Sequence, residues 1–215
     1  MKKSALILSI ICIFFLLWIE QGIGVAYIVK TAAKVVLFLF VPLLLFKKRG
    51  LDFLSFRKTD RKAIRMAVVS GFSIMLLIIG AFIIVKSFID TDSLLLDLQT
   101  RVGVTGAIYP FVALYILFGN SFLEEFFFRG FLTGAFQGSK MRWILPPLFF
   151  AVYHIAIFLP WFTLPVLLLA LAGLWIGGYI FQWINEKSGT ILPSWIIHMF
   201  ADLGILFVGA YLFYF

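Results

Sequence analysis

The apolar residues of this chain fall into runs long enough to cross a bilayer, and no other feature limits its fold as much. A membrane-spanning helix needs about 20 mostly apolar residues, because the hydrocarbon core is about 30 Å thick and a helix rises about 1.5 Å per residue. Such runs cover roughly residues 4–19, 25–46, 66–89, 107–136, 143–159, 165–184 and 194–214. They are too long and too uniformly apolar for the alternating strands of a transmembrane barrel. Of 215 residues 63% are hydrophobic and 13% charged, against about 25% charged in a soluble domain. The chain therefore reads as an all-α polytopic membrane protein with about seven transmembrane helices in one bundle. No repeat, low-complexity tract or linker divides it, so residues 1–215 form a single integral-membrane domain.

The net charge of +8 is unevenly placed. Lys47, Lys48, Arg49, Arg57, Lys58, Arg61, Lys62 and Arg65 crowd into the loop after the second run. Lys140 and Arg142 follow the fourth run and Lys187 the sixth, whereas Glu20, Asp90, Asp92 and Asp97 lie in the opposite connections. Basic residues mark cytoplasmic loops facing anionic lipid. The N-terminus is accordingly expected in the cytoplasm, and the partner of the basic charge is lipid, not nucleic acid. The single cysteine, Cys12, cannot form an intrachain disulfide. Lys2-Lys3 before an apolar run, with Gly24-Val-Ala26 after it, resembles a signal peptide, but the further spans favour an uncleaved first helix.

Several local expectations follow. Lys30 and Lys34 sit in the first third of the second run and are expected to snorkel to the interface or to lie along the surface. Residues 90–106 read as a polar loop, and the fourth run as a helix tilted or broken near Gly119-Asn120. Pro146-Pro147 suit the first turn of the fifth helix. Gly173, Gly177 and Gly178 suit close helix approach.

Polar residues inside the spans carry the functional signal. Between Val102 and Ser139 the only charged side chains are Glu124, Glu125 and Arg129. Each costs about 2.5–3.5 kcal/mol at the centre of a span, so a chain that keeps three together has a use for them. The two histidines of the whole chain, His154 and His198, stand in two further runs, the second with Asp202 four residues on. Glu125 and Arg129, four apart, share a helix face and can pair. Glu124 is turned about 100° away and shares its stripe with Asn120 and Phe128. Asp202 is placed to accept from one nitrogen of His198 and free the other. The depths of Glu124, His154 and His198 in their runs allow all three to face one cavity open to the cytoplasm.

Glu124-Glu125-x-x-x-Arg129, Phe150-x-x-x-His154 and His198-x-x-x-Asp202, in that order on successive membrane segments, resemble the three motifs of the CAAX-protease and bacteriocin-processing (CPBP, or Abi) intramembrane proteases. The resemblance covers about residues 107–205 and implies a catalytic core there. It implies hydrolysis of a peptide bond in a membrane-associated protein or peptide by an activated water. Glu124, buried in the membrane, would be the general base, with His154 sharing the proton or holding the water. His198, oriented by Asp202, would donate to the carbonyl oxygen. Glu125 and Arg129 would support the fold, with Asn120 and Phe150 beside the site. No cofactor is required on this reading, although His154, His198 and Glu124 would also make a three-ligand zinc set. The family's third motif ends in Asn or Asp; an ionised Asp202 cannot donate to an oxyanion, so orienting His198 or binding metal suits it better. The expected location is a prokaryotic cell membrane. Two other functions compete: a non-catalytic immunity or scaffold protein of the same family, and a proton-coupled transporter.

Overall fold

A computed structural model describes residues 2–23, 25–45 and 51–215. Lys47, Lys48 and Arg49 of the basic cluster, the side chain of Arg57, and Gly24 of the signal-like stretch lie outside the described residues. Among those described, seven helices are long and apolar enough to cross a membrane and no strand is present. They are α1 (Lys2–Gly22), α2 (Tyr27–Leu45), α3 (Arg61–Phe88), α5 (Tyr109–Ala135), α6 (Met141–Phe158), α7 (Leu164–Ser188) and α8 (Leu192–Tyr214). A short helix, α4 (Thr91–Thr100), precedes α5.

Helix α5 is the axis of the bundle. From Leu123 to Leu132 every residue is buried, the pattern of a helix enclosed by neighbours on all sides. Its expected break near Gly119 does not occur. The helix instead runs on through two widened stretches, Tyr115–Asn120 and Glu125–Leu132, each wound as a π-helix. Widened turns change the angle between successive side chains and so re-aim them. Phe38 of α2 stacks on Phe127 at a ring separation of 4.2 Å and meets Phe128 and Tyr153 edge-on or tilted at 5.4 Å. These rings fasten α2 to α5 and α6.

Around this axis α3 lies along α8 and α7 along α6. The α3–α8 contact depends on two glycines. A Cβ on Gly71 would stand 2.6 Å from Phe200 Cδ2, and one on Gly204 would stand 3.2 Å from the Met75 carbonyl oxygen. Of the three glycines expected to serve this purpose, only Gly178 does, with Pro147 Cα 3.1 Å from its hypothetical Cβ. Gly173 and Gly177 meet nothing within 4 Å, since that face of α7 turns outward.

Three further expectations are corrected. Residues 90–106 are not merely loop. Asp90 caps α4 by accepting from the Ser93 amide at 3.0 Å, and Leu98 packs with Val102, Val104 and Trp161. A side-chain oxygen at a helix start, satisfying an amide that has no partner within the helix, accounts for the extra turn structure. Helix α6 starts at Met141, so Pro146 and Pro147 fall within the helix, past its first turn. Lys30 and Lys34 do not snorkel; both are buried and point inward. Lys30 pairs with Glu20 at 2.7 Å, and Arg101 bridges Glu20 and Asp97 at 2.9 and 2.7 Å. The Arg101 guanidinium holds the Asp97 carboxyl below the usual carboxylate range. This cluster ties the end of α1 and the start of α2 to α4.

Substitution of Gly71 by leucine forces a clash with Phe200 and should destabilise the bundle by about 1–3 kcal/mol, the usual cost of overpacking. The same change at Gly80, which meets nothing within 4 Å on the same helix, should leave the unfolding temperature in detergent unchanged or raise it. Thermal unfolding of the two variants side by side checks the packing.

Candidate active site

Three helices bring the polar side chains together at the middle of the bundle. Glu124 and Glu125 come from α5, His154 from α6, and His198 and Asp202 from α8. Glu124 is 1% exposed and His198 4%, so their charges and dipoles act in a low-dielectric interior.

His154 is aimed by a fault in its own helix. Its amide bonds to the Ala151 carbonyl at 3.1 Å, three residues back, so α6 tightens at that point. The Phe150 carbonyl is thereby left for the imidazole, whose Nδ1 lies 2.7 Å from it. A carbonyl only accepts, so Nδ1 carries a proton, and in a neutral ring Nε2 then presents its lone pair. That nitrogen is 3.7 Å from Glu124 Oε2. The ring is walled by Phe150 and Tyr153, at centroid distances of 4.8 and 5.1 Å.

His198 is held differently. Its Nδ1 lies 2.9 Å from Glu125 Oε1, and its Nε2 is 3.7 Å from both Glu124 Oε2 and Asp202 Oδ1. The orienting carboxylate is therefore Glu125, not Asp202 as the spacing on α8 suggests. Asp202 stands one turn along α8 on the Nε2 side of the ring, beyond hydrogen-bond reach. The widened α5 turn carries Glu125 round to Nδ1. The second oxygen of Glu125 accepts from Ser194 Oγ at 2.5 Å, and Asn185 Nδ2 donates to the same hydroxyl at 2.6 Å.

The expected pair on α5 is present, with Arg129 Nη1 3.2 Å from Glu125 Oε1. The Arg129 guanidinium also lies 4.0 Å from the Phe150 ring centre and 5.0 Å from that of Phe181. Stacked on two rings, it places its positive charge where aromatic faces are negative. Glu125 thus serves a histidine and an arginine at once, and the supporting role read from the spacing is only half of its part.

Glu124 has the arrangement that the sequence leaves hidden. Its Oε1 accepts from Lys34 Nζ of α2 at 2.5 Å and from Asn120 Nδ2 at 3.0 Å. Lys34 also donates to Asn120 Oδ1. The other oxygen, Oε2, is buried without a hydrogen-bond partner among the described residues and faces the two imidazole nitrogens. Glu124 is therefore not an isolated buried carboxylate, because the Lys34 ammonium is in contact with it. One signal pointed this way: Arg129 pairs with Glu125, so Glu124 was an intramembrane carboxylate with no cation on its own helix.

Among the described residues no group of three His, Cys, Asp or Glu side chains is disposed to hold a metal ion. Glu124, the carboxylate that such a set would need, already has its charge met by Lys34.

A polytopic helical membrane protein with three carboxylates and two imidazoles gathered in its interior is the class that fold and site define. Residues 106–204 match the protein family described as type II CAAX prenyl endopeptidase, Rce1-like. The match bears out the family resemblance read from the three motifs, all of which lie within it; the matched family is one of CAAX proteases. Lys34 lies outside the matched segment. No curated protein and no solved structure matches the chain significantly.

Replacing Glu125 by alanine would strip His198 of its hydrogen bond and leave Arg129 buried without its counter-charge. Breaking a buried pair in this way should cost about 3–5 kcal/mol. Asp202→Asn disturbs no hydrogen bond among the described residues and should change stability by less than about 1 kcal/mol. Denaturation of both variants in detergent separates the two carboxylates; the reverse order would assign the orienting role to Asp202.

Proposed function

We propose that the protein is an intramembrane endopeptidase of the CAAX type, hydrolysing a peptide bond of a membrane-associated protein or peptide with water as the nucleophile. One observation carries this reading: Glu124 Oε2, buried and without a hydrogen-bond partner among the described residues, faces the Nε2 atoms of both histidines at 3.7 Å. The three atoms are beyond direct hydrogen-bond reach of one another and are placed to share one water lying off their common plane. The match of residues 106–204 to a protease family supports the same chemistry.

Glu124 Oε2 takes a proton from the water as its oxygen attacks the carbonyl carbon. The His154 Nε2 lone pair accepts the water's second hydrogen and holds the attacking oxygen in place. As the carbonyl π electrons move onto oxygen, His198 donates to it from Nε2 while Nδ1 stays bonded to Glu125. Collapse of the tetrahedral intermediate expels the amine, which receives the proton held on Glu124. The negative charge moves a few ångströms, from carboxylate to oxyanion and back, inside a pocket whose cations stay fixed. No step passes through a metal. With the N-terminus in the cytoplasm, as the basic loops imply, the site opens toward that side.

In proteoliposomes, a quenched peptide bearing a farnesylated cysteine four residues from its C-terminus serves as probe, and Glu124→Gln should reduce its cleavage by about 10²–10⁴-fold. A comparison of membrane-peptide profiles between cells carrying wild type and Glu124→Gln extends the test to the natural substrate. Equal turnover by a Glu124→Gln variant present at wild-type level would refute the mechanism. Treatment with 1,10-phenanthroline should leave cleavage intact. Loss on chelation, restored by zinc at one atom per chain, would instead establish a metal site.

A further inference from the structure

The geometry points to Lys34 as the positioning residue of Glu124: a membrane-buried ammonium on α2 that fixes which carboxylate oxygen faces the two imidazoles. This role rests on the peptidase reading above and extends it to a helix outside the family-matched segment.

A glutamate side chain in a helix has two equivalent oxygens and several rotamers, and only some of them present an oxygen to His154 and His198. Lys34, Asn120 and Glu124 close a ring of three hydrogen bonds: Lys34 Nζ to Glu124 Oε1, Lys34 Nζ to Asn120 Oδ1, and Asn120 Nδ2 to Glu124 Oε1. Two donors converge on Oε1, so the carboxylate cannot turn without breaking both. Oε2 is left as the one oxygen free to accept a proton. The ring is enclosed by aromatic walls, with Lys34 Nζ 4.7 Å from the Tyr153 ring centre and 5.5 Å from that of Phe38. Those faces attract the cation and exclude water that would loosen the contact. The Phe38–Phe127 stack one turn along α2 sets the depth at which Lys34 meets Glu124.

The lysine also bears on the charge that moves during reaction. Glu124 and Lys34 together are neutral, as are Glu125 and Arg129. When Glu124 gains the proton, the negative charge passes to the substrate oxyanion close by, and Lys34 remains near it. An apolar residue at position 34 would leave Glu124 both mobile and uncompensated. Arginine keeps the charge and two of the donors, though not the compact shape.

Two measurements on the full-length protein test this. In the farnesylated-peptide assay, Lys34→Met should lower kcat by about 100-fold, the usual loss when a reacting group is displaced by about 1 Å. KM should change little, since Lys34 does not touch substrate, and Lys34→Arg should recover part of kcat. Wild-type kcat in Lys34→Met, or loss of folded protein in Lys34→Met and Lys34→Arg alike, would reduce Lys34 to a structural residue or less. The second measurement needs no activity. Dicyclohexylcarbodiimide activates buried carboxyls, and an amine in contact captures the activated Glu124 as an amide, releasing dicyclohexylurea. Mass spectrometry of treated membranes should find the zero-length Lys34–Glu124 cross-link. An N-acylurea on Glu124 with Lys34 unmodified would overturn the contact. If wild type leaves the farnesylated peptide uncut, the peptidase reading fails while the cross-link still decides the pairing.

Discussion

Neutralisation of charge inside the bilayer is the constraint on which the rest of this structure depends. An unpaired carboxylate in hydrocarbon is among the most expensive groups a helix can carry. This chain buries two on successive residues and gives each its own cation. Arg129 comes from the same helix as Glu125, and Lys34 comes from α2, ninety residues from Glu124 in sequence. The first pair costs the fold little because one helix face supplies both partners. The second requires α2 to be held against α5, which the aromatic cluster around Phe38 does. Even so, such pairs do not by themselves stabilise a protein strongly, because their desolvation offsets much of their attraction. Their retention is better explained by what they allow the free oxygen of Glu124 to do.

Local helix distortion aims the side chains at the site. A regular helix would give the Phe150 carbonyl to the amide of residue 154. The tightened turn gives it to the His154 ring instead and so fixes the tautomer. A regular α5 would leave Glu125 on the face of Arg129 alone. The widened stretch from Glu125 to Leu132 lets it reach His198 and Ser194 as well. Both distortions lie beside the reacting groups, where departures from ideal helix geometry tend to be found.

Much of this was legible in the sequence. Run length gave seven helices within a few residues of their observed ends, because hydrocarbon thickness leaves little latitude. The scarcity of charge singled out Glu124, Glu125, Arg129, His154, His198 and Asp202, and spacing alone located the Glu125–Arg129 pair and the Asn120 contact. What stayed hidden depended on relations between helices or on backbone detail. Lys34 looked like a snorkelling residue because its position near the start of a span permits that, and nothing on α2 names its partner on α5. The exchange of Asp202 for Glu125 as the support of His198 followed from a widened turn that no residue pattern announces. Helix α4 reads as loop in the sequence because ten residues with an Asp90 cap are short beside the long spans around them.

The central claim is that charges from separate helices meet at Glu124, with one oxygen clamped and the other turned to two imidazoles. An experimental structure of the full chain in lipid nanodiscs, at a resolution that shows side chains and ordered water, tests it most directly. The account predicts Lys34 and Asn120 on one Glu124 oxygen and a single ordered oxygen atom bridging the other to His154 and His198. Lys34 extended to the headgroups, with the imidazoles facing away from Glu124, would contradict it.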